Sequence, residues 1–124
     1  AQARAALAQG IAAMGPLDED DADGQRRHRQ QQQAMEARLG PLRARLRAAL
    51  AARSAEGARL AAVDAVLEQA LAPHWREALA GGPGWLKRHR RAHGGDALPA
   101  LQRLLRAELD LRLEPLQGLA EALR

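Results

Sequence analysis

Apolar residues recur along the chain at intervals of three and four, which is the spacing of one face of an α-helix. Three long stretches show this pattern. The first has its apolar stripe at Met35, Leu39, Leu42, Leu46, Ala49 and Leu50, and the second at Leu60, Val63, Leu67, Leu71, Trp75 and Leu79. The third has it at Leu98, Leu101, Leu105, Leu109, Leu113, Leu116, Leu119 and Leu123, with Leu104 and Leu111 beside it. The pattern predicts three long helices that turn these stripes toward a common core.

The first long helix contains Gly40-Pro41, which would ordinarily end or bend it. Two interpretations compete: a helix that ends before the proline and restarts on it, or a single bent helix. The stripe keeps its register across Pro41, which favours one kinked helix over about residues 24–54, with Asp23 as its N-cap. The segment Ser54–Gly57 is short enough to fold the first two long helices into an antiparallel hairpin.

Two shorter segments complete the predicted organisation. Residues 1–14 favour a short N-terminal helix, and residues 1–23 are expected to form an N-terminal arm, either flexible or ordered. Residues 81–95 are expected to be a basic connector with a brief helix from Trp85 to His93, closed by Gly94-Gly95. Asp96 would then cap the last long helix. The prediction is an all-α antiparallel bundle in a single domain, residues 1–124.

The composition excludes several classes of protein. Alanine and leucine supply 30 and 21 of the 124 residues, whereas Cys, Tyr and Phe are absent. The absence of cysteine rules out a disulfide scaffold, a thiol enzyme and a cysteine-based zinc site. The scarcity of β-branched and aromatic residues argues against a β-sandwich or barrel. The longest uncharged stretch is too short and too rich in alanine to span a bilayer, and a cytoplasmic location is therefore expected.

Charge is segregated along the chain although the net charge is only +4. Residues 18–23 include five acids, and residues 24–59 hold nine arginines against two glutamates. The segment 85–91 combines an aromatic side chain with four cations. The candidate partner-binding residues are Trp85, Lys87, Arg88, Arg90 and Arg91, with Arg43 and Arg47 on the first long helix. Such a surface is expected to bind a protein partner with an acidic surface; phosphates of a nucleic acid are the alternative.

Candidate catalytic and metal-binding residues are few. His89 and His93 are four residues apart, a spacing that can bind zinc, but the arginines around them favour solvated histidines. His28 is interpreted as a surface residue, and Glu108 with Arg112 as a surface ion pair. Ser54 is the only serine, and threonine is absent. No catalytic, cofactor or metal site is predicted, and the chain is not expected to be an enzyme.

Two segments carry a resemblance to a known family: Met35-Glu36-Ala37-Arg38-Leu39-Gly40-Pro41-Leu42-Arg43-Ala44-Arg45 and Val63-Asp64-Ala65-Val66-Leu67-Glu68. They resemble a family of functionally uncharacterised proteobacterial proteins, a domain of unknown function, over most of this chain. The resemblance implies that its members are encoded near stator-type proton-channel proteins and peptidoglycan-binding membrane proteins. It implies no functional residue.

These observations lead to a hypothesis with two alternatives. The hypothesis is a non-enzymatic helical interaction or scaffold module, accessory to a larger assembly that is associated with a membrane. The first alternative is a nonspecific nucleic-acid-binding protein that uses the same basic segments on phosphates. The second is a self-associating helical protein.

Overall fold

The computed structural model describes residues 2–17, 21–93 and 97–124, and within these residues it is all-α, as predicted. The helices are α1 (Gln2–Ala12), α2 (Asp21–Arg53), α3 (Ala55–Ala80), α4 (Gly82–His93) and α5 (Leu98–Ala122). The three long helices and the two short ones are those that the sequence predicts.

Helix α2 continues through Gly40-Pro41, so the prediction of one helix is confirmed. Its start differs from the prediction, because Asp23 lies inside the first turn and not at the N-cap. The Asp23 carboxylate is buried and accepts a hydrogen bond from Arg26 at 2.5 Å. An acid in the first turn also suits the positive end of the helix dipole.

A single residue, Ser54, separates α2 from α3. Its hydroxyl oxygen accepts a hydrogen bond from the backbone N–H of Gly57 at 2.9 Å, which caps α3. Gly57 is buried against the backbone of Leu50, and a Cβ at position 57 would lie 2.9 Å from the Leu50 carbonyl carbon. The corner is therefore tighter than the four-residue turn that the sequence suggests, and it requires glycine at position 57.

The interhelical contacts fix the direction of each helix. Arg43 meets Glu68 and Arg47 meets Asp64, so α2 and α3 are antiparallel. Contacts between α2 and α5 join residues 28 with 108 and 36 with 112, so these two helices run in the same direction. Helix α1 is antiparallel to α5, because contacts join residue 4 with 110 and residue 11 with 102.

The main core lies between α1, α2 and α5. Helix α5 contributes most of it, and all the central leucines of its predicted stripe are buried: Leu101, Leu105, Leu109, Leu113, Leu116 and Leu119. Ile11 of α1 and Met35 of α2 are almost fully buried against them. Helix α1 of the N-terminal arm therefore packs into the core. Asp18–Asp20, the rest of the acidic block, lie outside the described residues.

The predicted core face of α3 is wrong. Its large apolar residues Leu60, Val63, Leu67 and Leu71 are 42–55% exposed. The buried residues are instead Gly57, Ala61 and Asp64. Small side chains at positions 57 and 61 let α3 approach α2 closely, and Asp64 is held by arginines of α2. Helix α3 therefore packs through the face that carries its small residues, and Leu60, Leu67 and Leu71 remain at the surface.

The connector between α3 and α5 is more helical than expected. Helix α4 begins directly after Gly81. The N-cap position of α5 is occupied by Ala97, which offers no side-chain hydrogen bond. The predicted capping residues Gly94, Gly95 and Asp96 lie outside the described residues.

Candidate partner-binding site

The basic segment predicted to bind a partner lies on α4. Arg88 and Arg91 are exposed, while Lys87 and Arg90 are half-buried. The rings of Trp85 and His89 stack with their centroids 5.2 Å apart. Trp85 remains 39% exposed, so α4 presents an aromatic side chain beside two exposed arginines.

Arg43 and Arg47, the other two predicted partner-binding residues, lie apart from that surface, where α2 packs against α3. Arg43 binds the Asp64 carboxylate in a bidentate manner, through Nε at 2.9 Å and Nη2 at 2.8 Å. Arg47 donates to Asp64 at 2.7 Å and also binds Glu68. Both guanidinium groups are thus held by acids of α3, because they lie between the two antiparallel helices.

The surroundings of the Asp64 carboxylate shift its pKa. Burial alone would raise the pKa of Asp64, but hydrogen bonds and positive charge from Arg43 and Arg47 outweigh it. The pKa is therefore held below its ordinary value of 3.8. This ion-pair network fixes the register of the α2–α3 hairpin and has a structural role.

A groove of about 710 Å³ opens between the N-terminal half of α2, the C-terminal half of α3 and α5. At the opposite end of the bundle, α3 touches α5 through Ala61 and Leu119 in a small second core. Helices α3 and α5 do not close over the groove at its own end of the bundle. The large apolar residues that line the groove are Leu39, Leu71, Trp75, Leu79, Pro115 and Leu116. Its α2 wall extends from Arg29 to Arg43, about 21 Å of helix.

The polar residues around the groove carry excess positive charge. Four arginines line it (Arg29, Arg43, Arg76 and Arg112) against two glutamates, Glu36 and Glu68. Glu68 is occupied by Arg43 and Arg47, and Glu36 lies 3.6 Å from Arg112. The buried Nε of Arg112 finds no hydrogen-bond acceptor among the described residues. The groove therefore holds two more arginines than glutamates.

A buried polar cluster at the inner end of the groove was not predicted. His28 Nε2 lies 2.7 Å from Glu108 Oε1, and both side chains are almost fully buried. Gln32, which lines the groove, donates to the other Glu108 oxygen at 3.0 Å. The surface interpretation of His28 and the Glu108–Arg112 ion pair are therefore wrong, and Arg112 faces Glu36 instead.

A signal for this cluster is present in the sequence. Position 28 lies seven residues before Met35, two helical turns on the same face as the buried stripe of α2. Position 108 lies three residues after Leu105, again on the buried face. Polar residues that continue an apolar stripe are expected to meet one another in the core, because each needs a partner there.

Within the described residues, no helix combines the length and the apolar character needed to cross a bilayer. Residues 1–94 match the model of a family described as "Protein of unknown function (DUF3348)". The match covers more than half of the chain, so the protein belongs to this family, which confirms the resemblance to a domain of unknown function. No curated protein and no solved structure shows significant similarity to the chain.

Proposed function

We propose that this DUF3348 protein is a non-enzymatic, cytoplasmic interaction module that binds an acidic amphipathic helix of a partner protein in the groove between α2, α3 and α5. The observation that carries the proposal is the combination of an open apolar floor with unpaired positive charge. Helix-in-groove recognition uses these two features, the first for affinity and the second for orientation and selectivity.

The dimensions of the groove support a helical partner. About 21 Å of wall corresponds to four turns of helix, enough for apolar anchors at i, i+4 and i+7. The floor offers Trp75, Leu79 and Leu116 as contacts for such anchors. An elongated surface of this kind, bordered by three helices, suits a rod better than a compact small molecule.

The charges support an acidic partner. Arg29 and Arg76 are exposed at the groove and form no ion pair within the described residues. Arg112 adds a third guanidinium group to the lining, with its Nη2 3.6 Å from Glu36 Oε1. Helix α4 begins two residues after Ala80, the last groove residue of α3, and adds the exposed Arg88 and Arg91. An acidic helix would therefore meet cations along the groove and at its end.

The setting that we propose is a larger assembly associated with a membrane. The support for it is the sequence resemblance, which implies proteobacterial relatives encoded near stator-type proton-channel and peptidoglycan-binding membrane proteins. In this proposal the chain is an accessory or scaffold component that holds an acidic segment of one of the other components.

The test is capture of partner proteins by the full chain from cells that make it, compared between variants. Leu79→Glu places a charge in the groove, and we expect it to remove the captured partner. Leu111→Glu is the matched control, because Leu111 is already 45% exposed on α5 and outside the groove. Equal capture by both variants would refute the groove as the binding site.

Charge reversal tests the acidic character of the partner. We expect Arg29→Glu with Arg76→Glu to weaken capture strongly, and Arg88→Glu with Arg91→Glu to weaken it less. Binding of duplex DNA tests the alternative function: affinity that falls steeply between about 50 and 200 mM salt, for any base sequence, would favour phosphate binding over the proposed partner. We expect no such binding.

A further inference from the structure

The exposed apolar residues of α3 form a surface beside the groove, which shares Leu71 with the groove lining. Seven large apolar residues are exposed among the described side chains, and five of them lie on this one helix. We name these five the α3 stripe: Leu60, Val63, Val66, Leu67 and Leu71, which are 42–66% exposed. Scattered exposed leucines need no explanation, but a contiguous apolar stripe marks an interaction surface.

Two opposite charges flank the α3 stripe, one beyond each of its ends. Arg59 lies seven residues before Val66 and Glu77 lies eleven residues after it, so both lie along the Val66 edge of the stripe. They are eighteen residues apart, which is five full turns, or about 27 Å along the helix axis. Both are exposed, and neither forms an ion pair within the described residues.

We propose that the α3 stripe docks against the same stripe of a second copy of this chain, with the two α3 helices antiparallel. A two-fold axis near residue 68 places Arg59 of each copy beside Glu77 of the other. Both ion pairs then form at once, one at each end of the contact, and the apolar side chains lie between them. A parallel arrangement would instead place these edges on opposite sides of the contact, and neither ion pair would form.

A second copy fits this surface better than an unrelated protein for two reasons. A two-fold contact needs a single patch that is complementary to itself, and the α3 stripe with its two flanking charges has that property. Small residues beside the stripe, such as Ala62 and Ala70, are exposed and let two helices approach closely. The contact leaves Trp75 and Leu79 in the groove for the partner helix.

The experiment is sedimentation equilibrium of the full chain over a series of protein concentrations. We expect a reversible monomer–dimer equilibrium. Leu67→Asp should weaken the dimer at least a hundredfold, since it buries a charge in the contact. Leu111→Asp, the matched control on α5, should leave the dissociation constant unchanged. Circular dichroism checks that both variants keep their helical content. A wild-type chain that is monomeric throughout, or a Leu67→Asp chain that dimerises as the wild type does, would overturn the proposal.

Charge exchange tests the antiparallel arrangement. Arg59→Glu and Glu77→Arg each replace two attractions by two repulsions, so each should weaken the dimer about tenfold. The double variant R59E/E77R restores both attractions and should return to within about threefold of the wild type. Single variants with wild-type affinity, or a double variant as weak as the singles, would contradict the antiparallel pairing. Capture of a partner by the groove is measured separately, so the two proposals fail independently.

Discussion

At the scale of single residues, the molecule is organised by acids that meet arginines between helices. Asp64 shows this most clearly, because it is 9% exposed and holds two guanidinium groups of α2. Removing one partner of a buried ion pair costs much more than the pair contributes by itself, since the remaining charges stay buried without compensation.

We predict that Asp64→Asn lowers the free energy of unfolding at neutral pH by about 3 kcal/mol, measured by chemical denaturation. The matched control is Asp110→Asn, whose carboxylate is exposed and lies 3.8 Å from Arg4; its effect should stay within about 0.5 kcal/mol. Equal losses in the two variants would show that the Asp64 network is not buried as described.

The pH dependence of the wild type follows from the lowered pKa of Asp64. A carboxylate whose folded-state pKa lies below its unfolded value stabilises the protein at pH above the unfolded value, here 3.8. That contribution is lost as the pH falls through the lower, folded-state pKa. The difference between wild type and Asp64→Asn should therefore be constant above about pH 5 and shrink below about pH 4. A difference that grows on acidification would contradict the assignment.

At the scale of elements, the corner between α2 and α3 decides how closely these helices pack. A Cβ at position 57 would meet the carbonyl group of Leu50, and backbone atoms cannot rotate away as a flexible side chain can. Gly57→Ala is therefore expected to lower the free energy of unfolding by about 2 kcal/mol or more. Gly118→Ala should raise it by about 1 kcal/mol, because alanine favours helix and nothing lies within 4 Å of the new Cβ. Thermal melts of the two variants should shift in opposite directions, and a stabilised Gly57→Ala would refute the close approach.

The sequence predicts the elements well and their packing less well. The α5 stripe is buried as expected, because leucines at steps of three and four leave no other face for the core. The α3 stripe has the same periodicity, yet it is exposed. Periodicity locates an apolar face, but Gly57 and Ala61 offer a second face that packs more closely, and Asp64 anchors it. The groove forms because α3 packs through this second face, and the apolar pattern alone therefore could not predict it.

The contacts of the candidate-site residues could likewise be predicted only in part. The exposed arginines of α4 were predicted from the basic segment, because a short, strongly charged helix exposes most of its charged side chains. The ion pairs of Arg43 and Arg47 with Asp64 and Glu68 were not predicted, because these acids lie on another helix and are distant in sequence. The pairing of His28 with Glu108 was not predicted for the same reason, because the two residues are eighty positions apart.

At the scale of the whole molecule, one core carries the stability and α3 lies at its edge. Leu105→Ala removes a fully buried side chain and should cost about 2–5 kcal/mol of unfolding free energy. Leu67→Ala should change it by less than about 0.5 kcal/mol at protein concentrations where the chain is monomeric, because Leu67 is 50% exposed. Chemical denaturation compares the two, and similar losses would place α3 leucines in the core after all.

The central claim is that the groove between α2, α3 and α5 receives an acidic helix of another protein, and crosslinking in the cell measures this most directly. A photo-crosslinking aromatic amino acid in place of Trp75, a groove residue, should join the full chain to one protein whose crosslinked segment is an acidic amphipathic helix. The same amino acid in place of the exposed Leu111 should not. Crosslinks that are equal at the two positions, or a segment from position 75 that is neither acidic nor helical, would contradict the account.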